Sequence, residues 1–509
     1  MPDLPDLTAC DREPIHIPGS IQPHGVLLVV DAATATVRQA SGNAAHRLGV
    51  EPGTLPDAPL ADLLTLPADL FDDDARPGHS AWVPVGFPQA PATTGWYACV
   101  HAYPTRWMIE IEPRESRFDE DPIRFAYDLA LRLDNDLTVE RAATRVARSL
   151  RDVLGYDRVM VYRFDEAWNG EVVSEARRND LEAYLGLHYP ATDIPPQARA
   201  LYLRNRVRQI SDCTYVPSPI VPPCDPLTNE PADLSDVSLR SVSPVHLEYL
   251  GNMGVTGTLV ASIITGGRLW GLIACHHYSP FFADHTMRET ADAVARAFAA
   301  RVLAIEELDH IELESALLTV REKLITAFSG SHRIEAALLT SLAPELLDVV
   351  DADGVAVFTA DGVSRHGTLP GPEALWRIRD AVADAPLTGA DGVIGVFHTD
   401  RLVESFPALD EPTIASAAAG IVYMPLALGV PAAVMWTRTE QVRQVRWAGN
   451  PQLAKLEAIP GARLSPRQSF AAWQETVQGR SRPWSRQHLD SARAMRVLIE
   501  RMSANDTHA

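Results

Sequence analysis

The sequence has few cysteines, and their spacing matches neither a disulfide framework nor a zinc site. The cysteines at positions 10, 99, 213, 224 and 275 lie far apart and form no Cys-x-x-Cys pair. This spacing excludes a disulfide scaffold and a zinc ribbon, and it predicts at least one free thiol. Basic residues are also outnumbered, with 45 Lys and Arg against 66 Asp and Glu and a net charge of -21 at pH 7. Nucleic acid and anionic membranes would on average repel such a chain, so neither is an expected partner.

The sequence also lacks the motifs of common enzyme classes. It contains no Walker loop, no His-Glu-x-x-His and no Gly-x-Ser-x-Gly, and the glycines at 251, 254 and 257 have the wrong spacing for a dinucleotide fingerprint. Cys10 with His16 and His24 matches neither a known metal-site spacing nor a thiol-hydrolase pattern. The first residues carry no basic region and no apolar core, so a cytoplasmic location is expected. These absences argue against those enzyme classes.

One uncharged run, residues 414–436, is long enough to span a bilayer. It contains Gly420, Pro425, Gly429 and Pro431, and its flanks show no clear basic bias. We therefore predict the end of an alanine-rich helix followed by two buried strands around a turn at residues 429–431, and not a membrane helix.

Apolar periodicity predicts an α+β chain with sheets and long helices. Strands are expected at residues 26–30, 36–40, 96–103, 107–111, 158–164, 170–176, 258–264, 269–275, 354–358 and 393–397. Helical spacing runs from about residue 122 to 154 before Gly155, through residues 281–329 without glycine or proline, and again after Ser485. The stretch 281–329 is expected to form one long helix, with room for an interruption near Asp309, that bridges two domains and offers a dimer seam. The alternative is a helix packed only on its own domain.

Several segments combine proline with residues that carry chemistry. Residues 10–25 place a thiol ahead of prolines 14, 18 and 23, and residues 189–202 form a proline-rich turn that places Asp193 where it can accept hydrogen bonds from a cation. The alternative is that Asp193 is simply an acidic residue in an ordinary proline-flanked turn at the start of a helix, with no special role. Arg199, Arg204, Arg206 and Arg208 are expected on the following helix. Residues 239–254 and 275–280 add His246 and His276, which on periodicity alone would be core histidines.

Together these segments resemble the bacterial phytochromes. Residues 10–25 are similar to their chromophore-attachment segment, residues 189–195 to their Pro-x-Ser-Asp-Ile-Pro signature with Thr192 in place of serine, and residues 239–254 and 275–280 to their histidine motifs. The resemblance implies an α+β fold of three domains with central antiparallel sheets: PAS (1–118), GAF (119–306) and PHY (307–509). It also implies long linking helices and an N-terminal figure-of-eight knot, with Ile21 threaded through a GAF loop.

The resemblance implies biliverdin IXα as a covalent cofactor, held by a thioether from Cys10 to a vinyl group. Arg208 and Arg240 would grip one propionate, His246 would lie over the pyrrole nitrogens, and His276 would bond the carbonyl of the outermost ring. Because Val260 cannot donate a hydrogen bond, Thr258 and His246 would hold the second propionate. The implied cofactor-binding residues are Cys10, Met160, Tyr162, Tyr189, Asp193, Ile194, Pro195, Tyr202, Arg208, Arg240, Ser243, His246, Tyr249, Thr258 and His276.

The same resemblance implies a light-driven switch. Residues of about 440–480 are similar to the PHY tongue, in which Arg467 would reach Asp193, Ser469 could replace it, and Trp473 would repack as the tongue changes from strand to helix. The chain would photoconvert between Pr and Pfr states, dimerise through its GAF and PHY helices, and act on an output domain such as a histidine kinase or on a partner. Which state forms in the dark is left open, and a non-photochemical GAF sensor for a cyclic nucleotide or haem is the alternative.

Overall fold

A computed structural model describes residues 13–67, 70, 81–89, 95–114, 121–331, 336–386, 395–427, 431–449 and 472–504. The chain divides into two compact units. Unit 1 comprises Met1–Leu303 and Arg446–Trp473, and unit 2 comprises Ala304–Val445 and Gln474–Ala509.

The strands form three sheets, which confirms the predicted α+β class. They are β1 (Ser20–Ile21), β2 (Val26–Asp31), β3 (Val37–Ser41), β4 (Val83–Val85), β5 (Trp96–Tyr103), β6 (Arg106–Pro113), β7 (Arg158–Phe164), β8 (Gly170–Arg177), β9 (Leu187–Tyr189), β10 (Val207–Ile210), β11 (Ser218–Val221), β12 (Gly257–Thr265), β13 (Arg268–His277), β14 (Gly354–Thr359), β15 (Gly362–Gly367), β16 (Phe397–Thr399), β17 (Gly420–Ala427), β18 (Pro431–Arg438), β19 (Arg443–Ala448) and β20 (Ala472–Val477).

The helices include one that is far longer than the rest. They are α1 (Ala44–Leu48), α2 (Leu60–Leu63), α3 (Pro122–Leu133), α4 (Val139–Leu154), α5 (Pro196–Arg204), α6 (Pro244–Asn252), α7 (His285–Ser331), α8 (Ala336–Ser341), α9 (Ala343–Asp348), α10 (Pro372–Val382), α11 (Leu402–Ser405), α12 (Pro412–Ala417) and α13 (Arg486–Ala504). Helix α7 runs without a break through Asp309, where its sequence left room for an interruption.

The first sheet has the order β1-β11-β3-β2-β6-β5-β4. Alternating side chains of β2 and β6 pack on α1 and α2 on one face. The other face is covered by apolar residues from a distant part of the chain, including Ile220, Leu234 and Leu239. Ile21 is fully buried in this second cluster, so the short β1 is built into the core of unit 1.

The second sheet has the order β10-β12-β13-β7-β8-β9-β19-β20. Its hairpin between β12 and β13 turns at Gly266 and Gly267, both with positive φ, as a tight primed turn requires. Among the described residues, β10 with β12, β12 with β13, β13 with β7, β7 with β8 and β8 with β9 pair antiparallel. Strand β9 pairs parallel with β19, so that Leu187 lies opposite Arg446 and His188 opposite Trp447. This pairing lies within unit 1.

The third sheet, in unit 2, has the order β15-β14-β18-β17-β16. One face packs on Leu346 of α9 and on α13 through Leu489 and Met495, while the opposite face packs on α10 and α12. Residues 414–436 supply the end of α12 and the central strands β17 and β18, as predicted. Within the described residues, no helix is long and apolar enough to cross a bilayer.

Two predicted elements need correction. Residues 122–154 form α3 and α4 and not one helix, because Thr138 caps α4 by accepting a hydrogen bond from the amide of Arg141. Leu137, expected on the buried face, lies in the break and is 72% exposed. The strand expected at 393–397 begins only at Phe397, and its first two residues lie outside the described part of the chain. Gly155 does cap α4 with a left-handed φ of 78°, as predicted.

Candidate functional site

The second sheet presents two chemically different faces. Leu259, Ile273 and Val161 belong to the core that α3, α4 and α7 form on one side. On the opposite side, which we call the site face, the register aligns Thr258, His276 and Arg158 in one row. The next row contains Arg208, Val260, Ala274 and Met160. Period-two alternation thus places several predicted cofactor-binding residues side by side.

Aromatic residues and methionine form an apolar wall on the site face. Met160, Tyr162 and Tyr189 are all buried, and the rings of Tyr162 and Tyr189 lie 5.9 Å apart. The position of Tyr162 requires glycine at two neighbours, since a Cβ at Gly170 would lie 1.6 Å from its ring and one at Gly271 would lie 2.2 Å from its carbonyl oxygen. In the sequence, nothing beyond their position in predicted strands indicates that these two glycines make room for Tyr162.

The proline-rich segment folds as predicted into a rigid turn. Residues Ala191–Asp193 form a 3-10 turn, and Pro195 then precedes α5 in an extended conformation. The hydroxyl of Tyr249 donates to Oδ2 of Asp193 at 3.0 Å. Arg199 donates to the carbonyl of Ile194 at 2.9 Å, and its guanidinium lies 4.6 Å from the Trp168 ring. Asp193 and Ile194 are thus held by α6 and by the first turn of α5.

Of the two predicted histidines, His276 is buried and His246 is half-buried, and the pKa of each lies below the usual value. Burial, then the charge of Arg208, lowers the pKa of His246 to about 4. Burial, then Arg158 and His246, lowers the pKa of His276 to about 3. The Nδ1 atom of His276 has no hydrogen-bond partner among the described residues. Neutral imidazoles can both donate and accept, so these side chains suit a ligand with mixed polar atoms.

Among the described residues, no carboxylate forms an ion pair with Arg208 or Arg240, whose guanidinium groups bind backbone carbonyls. Arg208 donates through Nη1 to the carbonyl of Ser238 at 2.8 Å and through Nη2 to that of Arg240. Arg240 donates to the carbonyl of Ile15 at 2.7 Å, whereas its Nε has no partner among the described residues. Burial and the charge of Arg208 lower the pKa of Arg240 to about 9. A buried cation beside a half-buried one fits an anionic ligand, because an uncompensated charge away from water is costly.

The remaining predicted residues border this arrangement. Ser243, directly before α6, donates to Oε2 of Glu13 at 2.8 Å. Thr258 is buried and lies opposite His276 in the sheet. Burial raises the pKa of the Tyr202 hydroxyl. Glu13 was not predicted to take part. Its contact ties the chain three residues after Cys10 to the residues around His246.

The arginines of the predicted basic helix lie on three different elements. Arg199 and Arg204 are on α5, but the helix ends there, so Arg206 lies in the loop and Arg208 on β10. Arg204 pairs with Asp236 at 2.6 Å and Arg206 with Asp292 at 2.7 Å. The expectation of one basic helix face was therefore wrong.

The predicted tongue is described only in part. Arg467 and Ser469, like Cys10, lie outside the described residues. Trp473 lies half-buried on β20. At the other end of the segment, Trp447 has its ring 5.8 Å from that of His188, and Ala448 is fully buried against the apolar wall.

One residue of the site face that sequence reasoning missed is Arg158. It is 1% exposed, forms an ion pair with Glu175, and its guanidinium lies 3.7 Å from the Tyr184 ring. It stands beside His276 on the adjacent strand. The alternation of β7, with Arg158, Met160 and Tyr162 two residues apart, could have revealed it.

None of the four described cysteines, Cys99, Cys213, Cys224 and Cys275, is in a disulfide, which agrees with the absence of a predicted disulfide scaffold. Although Cys275 adjoins His276 in sequence, it packs in the helix-covered core and burial raises its pKa well above the usual value. It therefore faces away from the site.

Comparison with protein families finds a phytochrome region at residues 317–507, a GAF domain at 138–302 and a PAS fold at 10–114. The chain is 54% identical to a bacteriophytochrome of Xanthomonas campestris pv. campestris over 98% of its own length and 79% of that protein. It is 36% identical to cyanobacterial phytochrome B of Nostoc sp., covering 97% of this chain and 66% of that one.

Solved structures show the same similarity. A bacteriophytochrome from the photosynthetic bacterium R. palustris superposes with a TM-score of 0.81 at 32% identity, covering 98% of this chain and 100% of the other. The photosensory core module of a Stigmatella aurantiaca phytochrome gives a TM-score of 0.78 at 32% identity, with 99% of each chain covered.

Proposed function

Because this chain belongs to the bacteriophytochrome family, we propose that it is a red/far-red photoreceptor that binds biliverdin IXα covalently through Cys10. The bilin absorbs light and supplies a Z/E isomerisation of its outer double bond. The chain would act as a sensor in the cytoplasm and not as an enzyme, passing the change to an output domain or a partner.

The observation that carries this proposal is the pair Arg208 and Arg240. Arg240 is buried and Arg208 is half-buried, and among the described residues neither forms an ion pair with a carboxylate, while the Nε of Arg240 has no hydrogen-bond partner there. Biliverdin carries propionates, and a guanidinium binds a carboxylate through parallel hydrogen bonds. The two arginines would hold one propionate, and Thr258 with His246 would hold the second.

The neutral histidines suit the remaining polar atoms of a bilin. His246 would lie over the pyrrole nitrogens, and the unpartnered Nδ1 of His276 would face the carbonyl of the outermost ring. Met160, Tyr162, Tyr189, Ile194, Pro195 and Tyr202 would line the remaining surface, with Asp193, Tyr249 and Ser243 at its edge. Neutral histidines avoid placing further charge beside the two arginines.

The contact of Glu13 supports the proposed attachment at Cys10. Glu13 accepts a hydrogen bond from Ser243, and three residues span at most about 11 Å, so the thiol of Cys10 would be within reach of the site. The thiol would add to a vinyl group, forming a carbon–sulfur bond while the thiol proton passes to the other vinyl carbon. No oxidant or reductant is needed for this step.

The knot is supported by contacts on both sides of β1. Ser20 and Ile21 pair with Pro219 and Ser218, and the amide of Gln22 donates to the carbonyl of Leu239 at 2.7 Å. We infer that residues 210–241 surround this strand, with Ile21 threaded between them. The proposed domains remain 1–118, 119–306 and 307–509.

The switch is proposed on the tongue, residues of about 440–480. Strands β19 and β20 represent its strand form, and Arg467 would pair with Asp193 until Ser469 replaces it. Trp473 would repack in the helical form. Long α7 and α13 would transmit the change, and exposed Leu308, Ile311 and Leu318 of α7 support a homodimer through these helices.

A denaturing gel tests the covalent bond. The purified chain is mixed with biliverdin, denatured, and run beside the Cys10→Ala variant, and pigment on the protein band is detected by zinc-induced fluorescence. We expect pigment on the wild-type band alone. A wild-type band without pigment would contradict the attachment and favour the non-photochemical alternative of a GAF sensor for a cyclic nucleotide or haem.

A further inference from the structure

A buried carboxylate on β6 holds the loop that ends at Arg240. Glu110 has no exposed surface, and its carboxylate accepts the backbone amides of Ser238 at 3.0 Å and Leu239 at 2.8 Å. These are the two residues directly before Arg240. Among predicted site residues, none lies on this strand, so sequence reasoning gave Glu110 no role.

His101 on β5 compensates the charge of Glu110. Its Nε2 lies 2.6 Å from Oε1 of Glu110, and the imidazole is 4% exposed. Burial alone would lower the pKa of His101, but the neighbouring Cys99 and Glu110 outweigh burial and raise it well above the usual value. A charged pair makes the buried carboxylate a strong acceptor for the loop amides.

The same residues can be considered as a metal site. Ligand atoms of Cys99, His101 and Glu110 lie within 4.8 Å of one another. Glu110 is already occupied by two amides, however, and its 2.6 Å contact with His101 leaves no room for an ion between them. The Nδ1 of His101 also has no partner among the described residues, whereas a metal-bound histidine normally donates from its second nitrogen. The geometry therefore favours a hydrogen-bonded group around the Glu110 carboxylate over a metal site.

A second contact from β5 holds the same loop. Tyr103, two residues after His101, donates a hydrogen bond to Asp236. Asp236 also accepts two hydrogen bonds of 2.6 Å each from Arg204, at the end of α5. Asp236 lies two residues before Ser238, so the β5–β6 hairpin fixes residues 236–239 at successive points.

We propose that Glu110, supported by His101, is a positioning residue that sets Arg240 and Arg208 for a propionate of the ligand. Arg240 follows the clamped amides directly, and its carbonyl oxygen accepts a hydrogen bond from Arg208. Both guanidinium groups therefore depend on the path of this loop. The inference rests on the proposed bilin function, since it concerns how that site recognises a carboxylate.

A positioning role can be separated from a purely structural one by changing the ligand. Biliverdin and its dimethyl ester share the same tetrapyrrole and differ at the propionates, which are charged carboxylates in the acid and neutral methyl esters in the other. Loss of general stability would weaken binding of both, whereas misplacement of Arg240 and Arg208 would weaken binding of the acid alone. The ratio of the two dissociation constants is therefore the informative quantity.

The experiment uses the full chain with Cys10→Ser, so that binding is reversible, and titrates each pigment by absorbance. In this background we expect the acid to bind about tenfold more tightly than the ester, which corresponds to roughly 1.4 kcal/mol. Arg240→Met should abolish most of this preference, and Glu110→Gln should reduce it by about threefold or more, because an amide N–H would face the loop amides. The double variant Glu110→Gln, Arg240→Met should prefer the acid over the ester no less than Arg240→Met alone does.

Glu112→Gln is the matched control. Glu112 is 1% exposed on the same strand, accepts from Arg288 at 2.7 Å and lies 3.7 Å from Nε2 of His24. Among the described residues it accepts no hydrogen bond from residues 238–239, so its replacement should leave the ratio of the two dissociation constants unchanged. Tyr103→Phe, which removes one hydroxyl, should lower the ratio in the same direction and serves if Glu110→Gln does not fold. An unchanged ratio in Glu110→Gln, or in Tyr103→Phe where the former is unfolded, would overturn the inference alone. No binding of either pigment to any of these proteins would overturn the proposed function and the inference together.

Discussion

The hydroxyl of Tyr249 donates a hydrogen bond of 3.0 Å to Oδ2 of Asp193. This contact joins α6, which carries His246 one turn earlier, to the proline-rich turn before α5. The ring of His246 stacks on that of Tyr249 with an interplanar angle of 10°. Any displacement of Asp193 is thereby coupled to the histidine proposed to lie over the pyrrole nitrogens.

Replacing Asp193 should separate pigment binding from photochemistry. Asp193→Ala removes the proposed partner of Arg467 but leaves Arg208 and Arg240 in place, so we expect normal pigment binding and a light-minus-dark difference spectrum with most of its amplitude lost. Tyr249→Phe should act in the same direction more weakly, since it removes one hydrogen bond worth about 1 kcal/mol. An unchanged difference spectrum for Asp193→Ala would refute the switch role of this residue.

Replacing Gly170 should disturb the apolar wall. A Cβ at this position would lie 1.6 Å from the Tyr162 ring, so Gly170→Ala must displace Tyr162 at a cost of about 1–3 kcal/mol. Urea denaturation of the pigment-free chain would measure this loss. Gly251→Ala is the control, because nothing lies within 4 Å of its Cβ and alanine should favour α6 by about 0.5–1 kcal/mol. Equal stabilities of the two variants would contradict the steric account.

Acid should destabilise the pigment-free chain partly through His276. Its pKa is about 3 in the folded chain, below the usual value of 6.5, so between these values the unfolded chain binds a proton that the folded chain does not. Stability from this residue is therefore present above about pH 6.5 and falls by up to about 1.4 kcal/mol per pH unit as the pH drops. We expect His276→Gln to lose less stability than wild type from about pH 7 to about pH 5 in urea titrations. Identical pH dependence of the two proteins would show that His276 is not held neutral by folding.

The stability of unit 2 should depend strongly on Arg438. This residue is 1% exposed and donates to the carbonyls of Val350, Asp351 and Pro483 at 2.7–3.0 Å, with its guanidinium 4.0 Å from the Trp484 ring. Arg438→Met would leave these carbonyls without a donor, and we expect a loss of about 3–5 kcal/mol in thermal or urea unfolding. Arg486→Met, at a side chain that is 79% exposed, should change stability by less than about 0.5 kcal/mol. Similar losses in both variants would contradict this role.

The parts of the fold that sequence could predict are those with local signals. Alternation in residues 158–164 and 258–275, with glycines at 266 and 267, indicated the strands that carry the site. The break at 134–138 was missed because apolar spacing continues through Leu137, while the cap that interrupts the helix depends on one threonine.

The parts that sequence could not predict depend on contacts between distant residues. Arg208 was expected on a helix because nothing local marks the end of α5, yet its pairing with Val260 places it on a strand. The parallel pairing of Trp447 with His188 and the clamp of Glu110 on Ser238 join residues far apart in sequence. The resemblance to phytochromes supplied roles for site residues, but not the neighbours Glu13, Glu110 and Arg158 that hold them.

The central claim is that this chain is a bilin photoreceptor, and a light-minus-dark difference spectrum of the chain assembled with biliverdin tests it most directly. We predict protein-dependent red absorption that red light shifts towards far-red and far-red light reverses, in whichever direction the dark state begins. A spectrum equal to that of free biliverdin, with no reversible change under either light, would contradict the claim.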